Sequence, residues 1–596
     1  MMSKKSYITD YLLNLSERSR TLKKGDYKIG FDWIIYRYGL SNDWQPIKIP
    51  FARETADAVV THKTEAEFGI DLSFYDSKNE QVIAFVLKAE KLTYANWTSK
   101  KFHDDLQRAS NPNFVSTEIP IEQIKRYKII TVYNKHDDAN GIGSYDNFVN
   151  SANKTICDNI GVEFERWNID KFAEIVAQNM LSAEVLPSNL SGLLAYITSQ
   201  FRDFCYGTTE WESQLIPNWK NFLNIVFEKG VDESRINLIP FALTILKNNS
   251  PDRPSAIVGW IDLTEWAMLK LWDVFPNLTQ EQQKIVINVW FDFYLGELHQ
   301  YFGENREILT MTWGINVGSW SASLIPINTI NSTYWHLARL CIYGLSATDI
   351  SNNEAKQEWY QNSYIYLDKF IESNPSALCP LIDLHHIEIA MVFLLYKVNG
   401  QLDKLKLYFN EMLNYLTIRR KSPESSLPFI ECANRMDLIA ERVIMKTKPV
   451  DWTEKSSYFL LVLIELCFSF NAETRDALVD NIFNDVVKGE PEVNEEIDLV
   501  GWLPPKDWAD KIFKGMVRTG TGISTPNFNH PNKNSTKYDL ISDFVKNTSK
   551  HDIKITELTR PLASHFLACI KNQSPLPPEF WRFAIFDDLQ KQPEQQ

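Results

Sequence analysis

The sequence predicts an α/β domain over residues 1–186, followed by a large all-α, helical-repeat-like region over residues 187–596. Three observations carry that reading. A chain of 596 residues exceeds the size at which one hydrophobic core keeps growing, so two or more domains are expected. Through about residue 186, short β-branched and aromatic stretches alternate with stretches in which apolar residues return every third or fourth position. After "SAEVLPSNLSG" the strand signals nearly vanish.

Taken in order, "SYITDYLLNLSERSRTL" and "FDWIIYRYGL" carry helical periodicity, and "IKIPFA", "GIDLSFYD" and "VIAFVLKA" are short strands bounded by turn residues. "TSKKFHDDLQRAS" predicts one helix ended by "NPN". "RYKIITVYN" is a buried strand, "SYDNFVNSANKTICDNIG" a helix closed by Gly161, "VEFERWN" a strand and "IDKFAEIVAQNML" a closing helix.

Beyond residue 187 amphipathic helices follow one another, among them "NWKNFLNIVFEKG", "EQQKIVINVWFDFYLGELHQYF", "NEAKQEWYQNSYIYLDKFIES", "HIEIAMVFLLYKVNG", "LDKLKLYFNEMLNYLTIRR" and "TRDALVDNIFNDVVKG". Helix pairs joined by short polar turns fit a repeat-like array, which could divide into two subdomains. They keep no strict period, so no named solenoid is assigned. Arg518 to Thr536 is expected to be a loop. Most of the 18 tryptophans are expected to fill the spaces between helices.

Net charge is −14, but residues 1–186 hold 24 basic and 26 acidic side chains, so the acidity lies in the helical region. A long acidic segment repels phosphate backbones, whereas the nearly neutral first part can carry a local basic surface. The seven cysteines are scattered without a CxxC pair, which argues against a zinc ribbon or disulfide scaffold and for reduced thiols in a cytoplasm. The first twenty residues lack the apolar stretch of a signal peptide. The most apolar run, "SYFLLVLIELCFSF", is shorter than the roughly 18 residues a membrane span needs and contains Glu465, so it is expected to be a buried helix.

Chemistry concentrates in "FGIDLSFYDSKNEQVIAFVLKAEKLT". Cleaving a phosphodiester near neutral pH calls for a metal ion that carries developing charge and activates water, with a lysine nearby. A hairpin with an acid on one strand and an acid-x-lysine on the next builds such a site compactly. Asp71 and Lys88 occupy two of those places. Strand alternation puts Val82, Ala84, Val86, Lys88 and, if the strand continues, Glu90 on one face. Val86 stands where an acid would precede the lysine, and Glu90 is the acid on the other side of Lys88. Taken alone, an aspartate after glycine is ordinary turn chemistry and a terminal lysine usually reaches water, so the order of the surrounding elements carries the weight.

That order, a helix opening with "FD", then "FGIDLSFYD", a turn, "VIAFVLKAEK" and a helix, resembles the restriction-endonuclease-like superfamily with its PD-(D/E)xK signature, particularly the Mrr-like branch. The resemblance covers residues 1–186 and departs from the pattern at Val86. It implies Asp71 as the principal metal-binding acid and Lys88 as the catalytic lysine, with Asp32 in the place of the helix acid. Glu90 is expected to supply the missing oxygen ligand. Mg²⁺ (or Mn²⁺) is the implied cofactor. Lys100, Lys101 and Arg108 are candidate phosphate contacts, Gln107 could position water, and Glu54, Glu65 and Glu67 could reach a second ion.

The function implied is a metal-dependent DNA endonuclease effector of a bacterial anti-phage defence system, with the helical region regulating it or recruiting partners. The competing reading is a catalytically degenerate domain that binds DNA or scaffolds a defence complex. DNA and protein partners are implied, a separate ATPase subunit or a homo-oligomer among them, and no membrane. No GxxxxGK[ST], HExxH or GxSxG occurs in the chain, and His385, His386 and Glu388 in "DLHHIEIA" lack zinc spacing.

Overall fold

The structure, a computed structural model, describes residues 4–16, 20–22, 26–28, 30–48, 69–111, 119–156, 160–179, 186, 188–312, 325–350, 352–381, 383–421, 456–489, 496–502, 504–505, 507–517, 523–524, 541, 544–545 and 558–590. The chain divides into two compact units, Met1–Ala267 with Leu278–Tyr294 and Met268–Asn277 with Leu295–Gln596. The change of sequence character near residue 186 falls inside the first.

The first unit opens with helix α1 (Lys4–Leu13), strands β1 (Arg20–Leu22) and β2 (Asp26–Lys28), and helix α2 (Phe31–Ser41). Then come β3 (Gln45–Lys48), β4 (Leu72–Asp76), β5 (Gln81–Lys88), α3 (Tyr94–Ser99), α4 (Phe102–Ala109), β6 (Arg126–Tyr133), α5 (Ala139–Ser151), β7 (Thr155–Ile156), β8 (Ile160–Trp167) and α6 (Ile169–Asn179). β3 to β8 form one mixed sheet in the order β3-β4-β5-β6-β8-β7. β3, β4 and β5 are antiparallel neighbours, β5, β6 and β8 run parallel, and β7 returns antiparallel on β8. β3 carries Pro46, with a register shift between Pro46 and Lys48.

Parallel strands covered on both faces need nearly unbroken apolar sequence, and every residue of β5 from Val82 to Lys88 is buried. Alternation sorts them. Val82, Ala84 and Val86 pack with Trp97, Phe102, Leu106 and Tyr145, so α3, α4 and α5 cover one face. On the other face Phe85 meets Phe74 and Trp167 edge-on at 6.0 and 5.5 Å. There α2 and α6 close the layer, with Phe31 against Phe172 at 6.0 Å. Buried Asn134, just past β6, donates to the carbonyls of Leu12 and Leu15 at 2.9 and 2.7 Å and ties down the end of α1.

The structure corrects three expected elements. "SYITDYLLNLSERSRTL" is helical only as far as Leu13, and Arg20–Leu22 pairs with Asp26–Lys28 as a strand. "TSKKFHDDLQRAS" is two helices, because Lys101 adopts a left-handed backbone (φ 58°) that stops α3 and restarts the chain as α4 in a new direction. The helix expected to run to Gly161 ends at Ser151, and β-branched Thr155 and Ile156 form an edge strand instead. Gly161 lies in β8. The segment Arg518 to Thr536 lies outside the described residues except for Ile523–Ser524, which pairs with Gly501–Trp502.

Helices complete the first unit and dominate the second. Two π-helical turns in the first unit, Trp211–Leu215 and Val289–Tyr294, each place an aromatic donor on a buried acid of the helix Pro254–Val274. Trp211 Nε1 donates to Asp262 at 3.2 Å and the Tyr294 hydroxyl to Glu265 at 3.1 Å. In the second unit the apolar run is indeed a buried helix, Tyr458–Cys467. Its Glu465 is 1% exposed and receives Arg582 Nη2 and Nε at 2.7 and 2.9 Å and Trp581 Nε1 at 2.7 Å. No helix among the described residues is long and apolar enough to cross a membrane.

Arg582→Ala leaves a buried carboxylate short of its cation, so it should destabilise the second unit by about 3–5 kcal/mol in chemical denaturation. Replacing Glu465 and Arg582 together by leucine should recover most of that loss. A single-variant loss below about 1 kcal/mol would show that the pair does not anchor the C-terminal helix.

Candidate active site

Asp71 stands one residue before β4, on a segment that its amide pins to Phe85 O at 2.9 Å. Its carboxylate turns toward β5 and accepts the Leu87 amide at 2.8 Å, which puts an acid oxygen against the residue preceding Lys88. Lys88 ends β5 on the face shared with Val86, and its side chain is only 11% exposed. A lysine there needs a partner, and Asp105 of α4 is one, its Oδ2 2.5 Å from Nζ. Phe102, one turn earlier on α4, lies under the same amine at 5.9 Å from its ring centre.

The segment entering Asp71 also lies against the backbone of Asp105, and Gly69 shows how closely. It has φ +72°, and a Cβ on it would lie 2.1 Å from the carbonyl oxygen of Asp105. Only glycine lets the segment leading to Asp71 press this closely on α4.

The other expected site residues are placed differently. Glu90 lies beyond the end of β5 and pairs with Lys100 at 3.5 Å, both side chains substantially exposed. Asp32 is fully buried in the first turn of α2, a helix packed on the opposite face of the sheet, where Oδ1 accepts the Trp33 amide at 2.7 Å. Lys101 and Arg108 are exposed. Arg108 and Gln107 line a shallow depression of about 430 Å³ with Asp104 and Asn111. Glu54, Glu65 and Glu67 lie outside the described residues.

Sequence reading missed Asp105. The residue lies 17 positions beyond Lys88, and its apposition depends on the unforeseen break at Lys101. It also missed a neighbouring cluster. Lys88 is in register with Tyr133 of β6, and the Tyr133 hydroxyl meets Asp137 and Arg166. Arg166 Nη1 lies 2.6 Å from Asp137 Oδ1, and Asn168 donates to Oδ2 at 2.9 Å. Burial alone would raise the Asp137 carboxyl, but the bonds from Tyr133, Arg166 and Asn168 outweigh it and hold it below the usual carboxylate range.

In the second unit, His385 and His386 serve the core. His385 accepts the Leu381 amide at 3.1 Å and stacks on Tyr334 at 3.9 Å. His386 accepts the Leu576 amide at 3.0 Å. Glu388 is buried with Oε2 meeting no donor among the described residues. Burial pushes its carboxyl up to about 7, against the opposing pull of Arg339. Among the described residues no three His, Cys, Asp or Glu side chains gather as a metal-binding group.

No family description, curated protein or solved structure matches the chain.

Two measurements check these assignments. The Lys88–Asp105 pair is far less exposed than Lys100–Glu90, so double-mutant cycles with Lys88→Met/Asp105→Asn and Lys100→Met/Glu90→Gln should couple by about 1–3 and below about 0.5 kcal/mol. Equal couplings would remove the distinction. Because the carboxyl of Glu388 is raised on folding, its stabilising protonated form is fully present below its unfolded value near 4.5 and is lost as pH rises through about 7. Glu388→Gln should therefore leave thermal stability nearly unchanged at pH 4 and raise it increasingly between pH 5 and 8. A pH-independent difference would contradict this.

Proposed function

We propose that the sheet-containing unit houses a metal-dependent phosphodiester hydrolase site acting on DNA, of the restriction-endonuclease-like (PD-(D/E)xK, Mrr-like) type. We further propose that the protein is an effector of bacterial anti-phage defence whose helical region regulates cleavage or recruits partners. The supporting observation is that Asp71 enters β4 beside the end of β5, its carboxylate held by the Leu87 amide, while the next residue, Lys88, is buried with its amine on Asp105.

The donors suit Mg²⁺ or Mn²⁺. Carboxylate oxygens are hard ligands, and magnesium is commonly held by one or two of them, with water and substrate phosphate completing its shell. Asp71 is half-buried, so its carboxylate is shielded yet reachable. When bound, the ion would neutralise phosphate charge and make a water easier to deprotonate. Lys88 offers an ammonium that orients that water or stabilises charge growing on the phosphate, and burial strengthens both effects. Asp71 holds the ion. Exposed Lys101 and Arg108 offer phosphate contacts along α4, whereas Lys100 already answers Glu90. A DNA-binding scaffold without hydrolysis is the second reading, favoured by Val86, which is apolar and fully buried.

Purified protein with supercoiled plasmid and Mg²⁺ or Mn²⁺ should nick or linearise it, and Asp71→Ala or Lys88→Ala should cut the rate by about a hundredfold or more. Cleavage surviving both substitutions would remove the site. Binding without cleavage under either ion, also when a copurifying ATPase is supplied, would select the scaffold reading.

A further inference from the structure

We infer that Asp105, delivered by helix α4, is the second metal-binding carboxylate of this site, in place of the strand residue that Val86 leaves apolar; the inference rests on the hydrolase reading above. Val86 is fully buried among Ala84, Phe102, Leu106 and Tyr133, so its position on β5 belongs to the core. Glu90 has left the strand and is engaged by Lys100. Asp105 is a described acid in direct contact with the site lysine.

The fold builds this apposition from three parts. The left-handed backbone of Lys101 restarts the chain so that Phe102, Leu106 and Ala109 bury against the sheet. That packing leaves Asp105 at the border of the apolar face, 19% exposed at its side chain. Gly69 then lets the segment entering Asp71 lie against the Asp105 backbone. Only one oxygen of Asp105 is committed, since Oδ2 holds Lys88 while Oδ1 has no hydrogen bond among the described residues. A carboxylate that merely neutralised a lysine would need neither the close approach of the Asp71 segment nor an open oxygen.

The role is separable from simple charge pairing. Asp105→Asn and Lys88→Met both abolish the ion pair, but only the first removes the carboxylate. Mn²⁺ binding to the full-length protein without DNA, followed by electron paramagnetic resonance or calorimetry, reads the difference. The wild type should bind Mn²⁺, and Lys88→Met should bind it at least as tightly because a competing cation is gone. Asp105→Asn should weaken binding by more than the roughly tenfold to hundredfold that loss of an outer-sphere partner costs. Thermal melting of each variant identifies any failure to fold, and Asp105→Glu, which keeps the charge, should recover part of the affinity. Unchanged binding in Asp105→Asn, or equal weakening in both variants, overturns the assignment of Asp105 while the hydrolase reading stands. A wild type that takes up no Mn²⁺ overturns the hydrolase reading itself.

Discussion

A lysine at the end of a strand buried on both faces is the constraint around which this end of the sheet is organised. Burying an ammonium without an opposing charge costs several kcal/mol, so something must bring a carboxylate to Lys88. Helix α4 does so, and its placement follows from that need together with the apolar row Phe102, Leu106 and Ala109, which can pack only on the face displaying Val82, Ala84 and Val86. Hydrophobic burial sets the layer, and the ion pair ties the first turn of the helix to the end of β5.

Much of the sheet was legible because its period is local. β4, β5, β6 and β8 stand where β-branched runs place them, and alternation along β5 correctly sorted Val82, Ala84 and Val86 onto one face. The candidate site was legible only in part. Asp71 and Lys88 are marked by their positions at strand ends, but the partner of Lys88 lies beyond a helix break that no pattern announced. Lysine is a good helix former, so a left-handed Lys101 inside a helical stretch violates local preference, and tertiary packing decides it. Glu90 shares the face of Lys88 only where the strand's period continues, and β5 ends at Lys88, with Glu90 paired to Lys100 beyond it.

The helical regions face the same electrostatic problem repeatedly and solve it with aromatic donors. Asp262, Glu265 and Glu465 are all essentially buried, and each accepts a bond from an indole or phenol group. Sequence showed many tryptophans and assigned them to packing. Packing is half of their role; the indole N–H also satisfies acids that a purely apolar filler would leave stranded. Periodicity cannot reveal this second role, since it registers the ring and not the direction of its nitrogen. The π-helical turns belong to the same solution, because one extra residue in a turn re-aims Trp211 and Tyr294 onto their acids.

The bulged strand β3 has a consequence for how copies of this protein meet. An exposed sheet margin is a template on which a foreign strand can zip, and long, flat, apolar margins seed aggregates. β3 breaks that template within four residues, through a proline with no amide hydrogen and a register slip immediately after it. An intruding strand would find its ladder interrupted almost at the first rung. Among the described strands β3 is the last on that side of the sheet, and its interrupted ladder opposes fibrillar growth wherever this border meets solvent.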